Sequence, residues 1–226
     1  MLSELLPPSK SGEYICLKNL DLFATSVCQE LATQASKNRH LKVVSSTIEN
    51  NAIEISLCED NYRAWLPSNQ LLNLQPTNSI YQKKSFSRRQ IEGKIPLVID
   101  FALRAMKTPN YYLWGGTVAP NYDCSGLVQS AYASVGIWLP RDSYQQENFT
   151  TRISVDELET GDLIFFGVKK VTHVALYLDN KRYIHSSGKD MGNNGIAINQ
   201  LEDNIDRVSS NYYREFWSCG RVVSSL

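Results

Sequence analysis

The chain has 226 residues, of which 42% are apolar and 20% are charged, and its 23 Lys and Arg residues balance its 23 Asp and Glu residues. This composition is that of an ordinary globular protein, and the balanced charge argues against a whole basic domain that binds nucleic acid. The five cysteines are odd in number, scattered and free of C-x-x-C pairs, so the pattern favours neither a disulfide framework nor a zinc site.

The N-terminal stretch from Met1 to Pro8 lacks the basic region and the long apolar run of a secretion signal. No later stretch reaches the apolar length of a transmembrane helix. We therefore expect no membrane partner and residence in the cytoplasm.

Short β-prone runs separated by Ser-, Asn- and Asp-rich turns fill the first third of the chain. The runs are Glu13–Leu17, Leu41–Val44, Ala52–Leu57 and Tyr62–Leu66. The run Leu31–Ala35 fits a strand or a helix equally. This pattern predicts a small all-β barrel that ends near Leu74.

A polar and basic stretch, Gln75–Ile95, follows the strands and contains Pro76 and Gly93, which is typical of an exposed connector. Its basic residues interleave with Tyr81 and Phe86, a pattern compatible with nucleic-acid binding, but a solvated linker is favoured and we expect no nucleic-acid partner. The predicted organisation is a β-barrel domain at 1–75, a linker at 76–90 and a second domain at 91–226.

Helices precede strands in this second part of the chain. Apolar spacing predicts a helix over Pro96–Met106 and another that starts at Cys124 and closes near Gly136. The strand-like runs after them are Asp162–Phe166, Val171–Leu178, Tyr183–His185, Ile196–Asn199, Arg214–Trp217 and Arg221–Val223. This order indicates an α+β domain.

Cys124 is the candidate nucleophile. The turn-rich segment Gly115–Asn121 leads into Asp123, a credible helix N-cap, which places Cys124 in the first turn. A helix N-terminus favours the thiolate and can donate hydrogen bonds to an oxyanion. A cysteine is nevertheless more often inert packing than catalytic, so the assignment requires a base.

Two histidines downstream supply that base. Period-two alternation places His173 and Ala175 on one face of a strand, and a three-residue turn at 179–181 would set Leu178 opposite Arg182. Ala175 then faces His185, which makes His173 its diagonal neighbour on one sheet face that confronts the cysteine helix. Cys124, His173 and His185 would act as nucleophile, base and orienting group.

The same three side chains have a second interpretation, because one cysteine and two histidines are also zinc ligands. No fourth ligand is apparent in the sequence, so we expect no metal. The other cysteines, Cys16, Cys28, Cys58 and Cys219, have no predicted base nearby and are interpreted as packing, and Arg141 as structural.

Several ordered motifs carry a resemblance over roughly residues 90 to 226. They are Tyr112-Leu113-Trp114-Gly115-Gly116, Asp123-Cys124-Ser125-Gly126-Leu127-Val128, Leu139-Pro140-Arg141-Asp142-Ser143, Gly161-Asp162-Leu163-Ile164-Phe165-Phe166 and His173-Val174-Ala175-Leu176-Tyr177. Together they closely resemble the NlpC/P60 family of papain-like cysteine peptidases. The first domain is similar to the bacterial SH3-like (SH3b) module, mainly through residues 59–67 and the strand pattern.

The resemblance implies a cysteine endopeptidase that cleaves the γ-D-glutamyl–diamino acid bond of murein peptides, as in cell-wall peptide recycling, with Cys124, His173 and His185 as the triad and no cofactor. It also implies that only peptides with a free N-terminal L-alanine fit. The positions that shape this substrate-binding subsite are occupied by Tyr62, Trp114, Asp123, Ser125 and Ser143, with Asp123 meeting the ammonium.

Plainer roles remain open for these residues. Asp123 and Ser143 fit helix caps, and Tyr62 and Trp114 fit core positions. At the level of function the alternatives are a non-hydrolytic murein-peptide binding module and acyl transfer through the same thioester.

Overall fold

The computed structural model describes residues 6–226, and these form two compact units. Unit 1 is the described chain up to Lys83 together with Trp114–Val118, and unit 2 is Lys84–Leu113 with Ala119–Leu226. The division at Lys83 lies inside the predicted linker 76–90. Residues 1–5 lie outside the described residues. They belong to the predicted domain 1–75 and to the N-terminal stretch in which the sequence shows no secretion signal.

Within residues 6–83, unit 1 is built on a seven-stranded sheet in the order β3-β2-β6-β5-β4-β1-β7. Its strands are β1 (Glu13–Cys16), β2 (Leu20–Phe23), β3 (Leu31–Ala35), β4 (His40–Val43), β5 (Ala52–Leu57), β6 (Arg63–Pro67) and β7 (Leu74–Pro76). Neighbouring strands pair antiparallel.

This sheet corrects the predicted barrel, because its ends, β3 and β7, are not paired with each other among the described residues. Strand periodicity reports which residues alternate, whereas closure depends on whether the two end strands meet. Leu31–Ala35 resolves as a strand, and β2 and β7 were missed by the sequence analysis. Both are very short, although β2 buries Leu20 and Leu22 in the unit 1 core.

Most helices of unit 2 precede its run of strands, and its last helix lies between its last two strands. Its helices are α1 (Arg88–Glu92), α2 (Ile95–Lys107), α3 (Cys124–Ala133), α4 (Ser143–Phe149) and α5 (Arg207–Arg214). Trp114–Val118 in unit 1 carries the short strand β8 (Thr117–Val118). The strands of unit 2 are β9 (Asn121–Tyr122), β10 (Thr151–Ile153), β11 (Leu163–Phe166), β12 (His173–Asp179), β13 (Arg182–Ser187), β14 (Gly195–Gln200) and β15 (Phe216–Arg221).

Over residues 151–221, six of these strands form an antiparallel sheet in the order β10-β15-β11-β12-β13-β14. The α+β class is therefore confirmed. Helices α2 and α3 cover one face through a core that includes Val174, Leu176 and Leu127. A second core covers the opposite face and contains Phe166 and Tyr212 of α5.

The predicted closing strands Arg214–Trp217 and Arg221–Val223 are wrong, because Arg214 ends α5 and one strand, β15, spans Phe216–Arg221. Asp206 caps the N-terminus of α5, and its side chain accepts hydrogen bonds from the backbone N–H groups of Val208 and Ser209. The helix carries few apolar residues, so apolar spacing did not reveal it.

The β12–β13 hairpin differs from its prediction at the turn and agrees with it farther along. Asn180 and Lys181 form the turn with positive φ values of 45° and 64°, and Asp179 rather than Leu178 pairs with Arg182. A register shift between Tyr177 and Asp179 then pairs Leu176 with Ile184. That is the register predicted for the histidine region, reached through a bulge instead of a longer loop.

None of the helices that the structure describes is both long and apolar enough to cross a membrane.

Candidate active site

Helix α3 begins at Cys124, as the sequence predicts. The Asp123 side chain caps the helix by accepting a 2.6 Å hydrogen bond from the backbone N–H of Gly126. Cys124 itself is buried. Backbone N–H groups in the first turn have no carbonyl partner within their helix. These groups lie beside the thiol and can donate hydrogen bonds to an oxyanion that forms there.

The protonation state of Cys124 differs from the sequence-based expectation of a favoured thiolate. Burial raises the pKa of the Cys124 thiol to about 12, and the charge of Asp123 acts in the same direction. Hydrogen bonds from the backbone N–H groups of Val174 and Ser125 act against this shift without cancelling it. A buried anion is costly, so the unliganded site favours the neutral thiol.

His173 and His185 meet on the sheet, with Nε2 of His173 2.7 Å from Nδ1 of His185. Both side chains are buried. Burial lowers the pKa of His173 well below 6.5, with the charge of His185 as a second cause, and burial lowers the pKa of His185 to about 4. A neutral His173 is the form that can accept a proton.

The histidines and helix α3, which carries Cys124, lie on opposite faces of the sheet, whereas the sequence predicts that they face each other. His173 contacts Phe166 and Tyr212 of the second core, whereas α3 packs on the opposite face with Val174. The predicted arrangement, in which the histidine face confronts the helix, is therefore wrong. The thiol instead lies beside the backbone N–H of Val174, the residue that follows His173 in β12.

Two tyrosines that the sequence analysis did not assign to the site border it. Tyr212 stacks on His173 with ring centroids 4.5 Å apart and meets His185 edge-on at 4.9 Å. Burial raises the pKa of Tyr112, and the charges of Cys124 and Asp123 raise it further. Tyr112 belongs to a motif that carries the family resemblance, but nothing in the local pattern could place Tyr212 there.

Asp123 and Ser125 are joined by Arg141, for which the sequence predicts a structural role. Arg141 Nη1 and Nη2 donate to the two carboxylate oxygens of Asp123 at 3.1 and 2.5 Å, and Nη1 also donates to Ser125 Oγ at 2.9 Å. All three side chains are buried. The carboxylate predicted to meet a substrate ammonium is therefore already paired with a guanidinium.

The remaining predicted subsite residues lie in both units. Ser143 is buried and is the first residue of α4, whose N-cap is Asp142, so Ser143 is not the cap. Tyr62 packs against the core of unit 1, and Trp114 is 63% exposed and belongs to unit 1. Over residues 6–226, no group of His, Cys, Asp or Glu side chains is arranged to hold a metal ion.

The lowered pKa of His185 predicts a loss of stability in acid. Below pH 6.5 the unfolded chain binds a proton that the folded state does not bind until about pH 4, so the free energy of unfolding falls as the pH falls. The loss is about 1.4 kcal/mol per pH unit, reaching about 3 kcal/mol at pH 4. Urea denaturation at several pH values measures it. The slope should be shallower in His185→Gln; equal slopes would contradict the buried neutral histidine.

A thiol at a helix N-terminus, combined with a hydrogen-bonded histidine pair on an antiparallel sheet, defines the class of cysteine-dependent hydrolases. The chain belongs to the NlpC/P60 family, whose model matches residues 109–222, about half of the chain. In the first unit, the bacterial dipeptidyl-peptidase SH3 domain matches residues 22–71.

Curated relatives are peptidases by name. The chain is 35% identical over 137 residues to a gamma-D-glutamyl-L-lysine dipeptidyl-peptidase of Bacillus cereus, covering 58% of this chain and 40% of that protein. It is 38% identical over 117 residues to the bifunctional muramidase/DL-endopeptidase CwlT of Bacillus subtilis, covering 49% and 32%. The chain thus spans less than half the length of these relatives.

A solved structure supports the fold. The crystal structure of an NlpC/P60 family protein from Bacillus cereus is similar with a TM-score of 0.50 and 22% sequence identity, over 94% of this chain and 64% of that one.

Proposed function

We propose that this protein is a cysteine endopeptidase that hydrolyses the γ-D-glutamyl–diamino acid bond of murein peptides with a free N-terminal L-alanine. The observation that carries the proposal is the 2.7 Å contact between His173 and His185. His173 also lies next to the nucleophile along the chain of contacts, because the backbone N–H of the following residue, Val174, contacts the Cys124 thiol. A binding module needs neither a nucleophile nor a base oriented by a second group, so hydrolysis is favoured over simple binding.

In the proposed acylation step, the unprotonated ring nitrogen of His173 takes the proton of the Cys124 thiol as the sulfur attacks the amide carbonyl. The carbonyl oxygen becomes an oxyanion that accepts a hydrogen bond from the N–H of Cys124 at the start of α3. When the C–N bond breaks, His173 returns the proton to the leaving amine of the diamino acid. The glutamyl carbonyl remains attached to Cys124 as a thioester.

Hydrolysis of the thioester completes the cycle. A water molecule gives one proton to His173 and attacks the thioester carbonyl, and the C–S bond then breaks. The sulfur leaves as a thiolate and regains the proton from His173, so the products are a γ-D-glutamyl carboxylic acid and the starting enzyme. The neutral Cys124 thiol and the neutral His173 of the unliganded site suit this order of steps, because His173 is deprotonated before substrate arrives.

The preference for a free amine is supported by the polar side chains next to the nucleophile. Asp123 and Ser125 flank Cys124, and Ser143 is a further buried hydroxyl in unit 2. An ammonium is charged and donates three hydrogen bonds to such a carboxylate and hydroxyls, whereas an acylated amine is neutral and donates one, so the site favours the free amine. The Bacillus cereus relative, named for gamma-D-glutamyl-L-lysine, supports the bond type and suggests testing lysine beside diaminopimelate.

The proposal predicts that the full chain cleaves L-Ala-γ-D-Glu-meso-diaminopimelate and releases L-Ala-γ-D-Glu, while the N-acetylated peptide is cleaved about 100-fold more slowly. Mass spectrometry of the products measures both rates. The L-lysine peptides, free and acetylated, test the identity of the diamino acid, and Cys124→Ala is the control.

Each outcome decides a separate part of the proposal. Equal cleavage of free and acetylated peptides would refute the amine requirement and leave the nucleophile standing. Binding of the peptides without cleavage would establish the murein-peptide binding module instead. A product in which an added amine replaces water would identify an acyltransferase.

A requirement for a free amine would restrict the enzyme to peptides already released from the glycan, which is the basis for proposing a role in peptide recycling in the cytoplasm. Cell fractionation with antibodies against the chain tests this location, and recovery in the external fraction would overturn it.

A further inference from the structure

A chain of hydrogen bonds continues past His185 into side chains that the triad does not include. Nε2 of His185 lies 2.9 Å from Oδ1 of Asn199, which projects from β14. Asn199 Nδ2 in turn lies 3.4 Å from both Asp206 Oδ1 and Ser209 Oγ at the start of α5. Asn199, His185 and Ser209 are buried, so this chain links the histidine pair to α5.

The groups at the start of α5 fix which way the Asn199 amide points. Ser209 Oγ donates its hydrogen to Asp206 Oδ2 at 2.6 Å and accepts from the backbone N–H of Gln200 at 3.1 Å. Ser209 and the Asp206 carboxylate therefore both present acceptors to Asn199. A flipped amide would set its oxygen against two acceptors, so the NH₂ group faces α5 and Oδ1 faces His185.

This orientation has a consequence for both histidines. An oxygen 2.9 Å from Nε2 of His185 requires a hydrogen on that nitrogen, which leaves Nδ1 as the acceptor in a neutral ring. Nδ1 of His185 then accepts from Nε2 of His173 across 2.7 Å. A neutral His173 with its hydrogen on Nε2 has its lone pair on Nδ1.

We infer that Asn199, held by Ser209 and Asp206, is a positioning residue that fixes the tautomers of His185 and His173 and so keeps Nδ1 of His173 ready to accept a proton. The inference rests on the proposed function only in making His173 the base. Asn199 touches neither substrate nor nucleophile. It acts through His185.

The opposite tautomer has a named donor in the same cluster. Nδ2 of Asn193 lies 3.2 Å from Nε2 of His185 and 2.9 Å from Asn199 Oδ1. If Asn193 donated to Nε2, both histidines would carry their hydrogens on Nδ1 and His173 would lack a lone pair there. The acceptor Asn199 Oδ1 lies nearer to Nε2 of His185, at 2.9 Å, than the donor Asn193 Nδ2 does, at 3.2 Å. An Nε2 without a hydrogen would set its lone pair against that oxygen, so the geometry favours the hydrogen on Nε2.

Imidazole ¹⁵N–¹H spectra of the full chain test the assignment without any substrate. The sequence has three histidines, which simplifies assignment, and His40 in unit 1 is an internal reference. At pH 7.5, His173 and His185 are expected to show the Nε2–H pattern. Asn199→Ala should shift both toward a tautomer mixture, whereas the matched variant Asn193→Ala should leave them unchanged.

The alkylation rate of Cys124 by iodoacetamide, measured by peptide mass spectrometry, gives a second readout. It should fall about tenfold in Asn199→Ala, whose base is no longer held in one tautomer, and stay within about twofold of wild type in Asn193→Ala.

An Nδ1–H pattern in the wild-type protein would overturn the inference, as would unchanged tautomers in a folded Asn199→Ala variant. A larger effect of Asn193→Ala than of Asn199→Ala would also overturn it, in favour of the opposite tautomer. Nε2–H tautomers combined with no peptide cleavage would uphold the role of Asn199 and reject the proposed function.

Discussion

Replacing Cys124 with alanine is expected to reduce hydrolysis of the γ-D-glutamyl peptide by at least about four orders of magnitude, because no other group can form the acyl intermediate. The fold should survive, since the substitution removes one sulfur atom and leaves the Asp123 cap of α3 in place. Initial rates by mass spectrometry and urea denaturation of the same preparations separate the two effects.

Cys219 provides a matched control for this experiment. It is buried in unit 2 like Cys124, and burial raises the pKa of both thiols to about 12. It lies in strand β15, within the second core, rather than at a helix N-terminus. Cys219→Ala should therefore keep activity near the wild-type level at a small cost in stability. Comparable losses in the two variants would refute Cys124 as the nucleophile.

The parts of the candidate site that depend on short-range patterns could be predicted from the sequence. Asp123 before an apolar helical run gives the cap and the position of Cys124. Alternation along β12 and β13 places His173 and His185 within reach of each other, although Asn180 and Lys181 form a shorter turn than expected. The bulge after that turn restores the register on which the contact depends.

Contacts between distant segments escaped prediction for a physical reason. Arg141, Asn199 and Tyr212 reach the site only because the chain folds back, and no spacing rule connects them to Cys124 or the histidines. Asn199 lies in a correctly predicted strand, yet an asparagine in an alternating strand carries no local sign of its partner. Helix α5 was missed altogether, so its contribution to the site was invisible.

Two further predictions failed: the favoured thiolate of Cys124 and the closed barrel of unit 1. Burial of the thiol explains the first, and the unpaired end strands of the sheet explain the second. The helix N-terminus alone favours a thiolate, but desolvation, which raises the pKa of Cys124, depends on tertiary packing. The barrel prediction failed in the same way, because strand composition does not reveal whether β3 and β7 pair. Both depend on long-range arrangement that a single sequence does not display.

Arg141 pairs with the buried carboxylate beside the nucleophile, a role that the sequence does not reveal. Asp123 has two tasks, capping the helix that carries Cys124 and, in the proposed function, meeting a substrate amine. Its carboxylate is buried, and a buried charge without a partner is strongly destabilising. The paired hydrogen bonds from Nη1 and Nη2 of Arg141 supply that partner. Arg141 thus allows a charged residue to stand beside the nucleophile.

Arg141→Met is therefore expected to lower the free energy of unfolding by about 3–5 kcal/mol, since it leaves the Asp123 carboxylate buried without its guanidinium partner. Arg182→Met is the matched control: it removes one partner of the Arg182–Asp179 pair, whose side chains are about half exposed, and should cost no more than about 1 kcal/mol.

Adding Asp123→Asn to Arg141→Met should recover part of the lost stability, because the uncompensated charge is then gone. Urea denaturation of the four variants, including Asp123→Asn alone, gives this coupling. If the losses of Asp123→Asn and Arg141→Met simply add, the two side chains are not a stabilising pair, and Asp123 is held beside Cys124 by its backbone contacts alone.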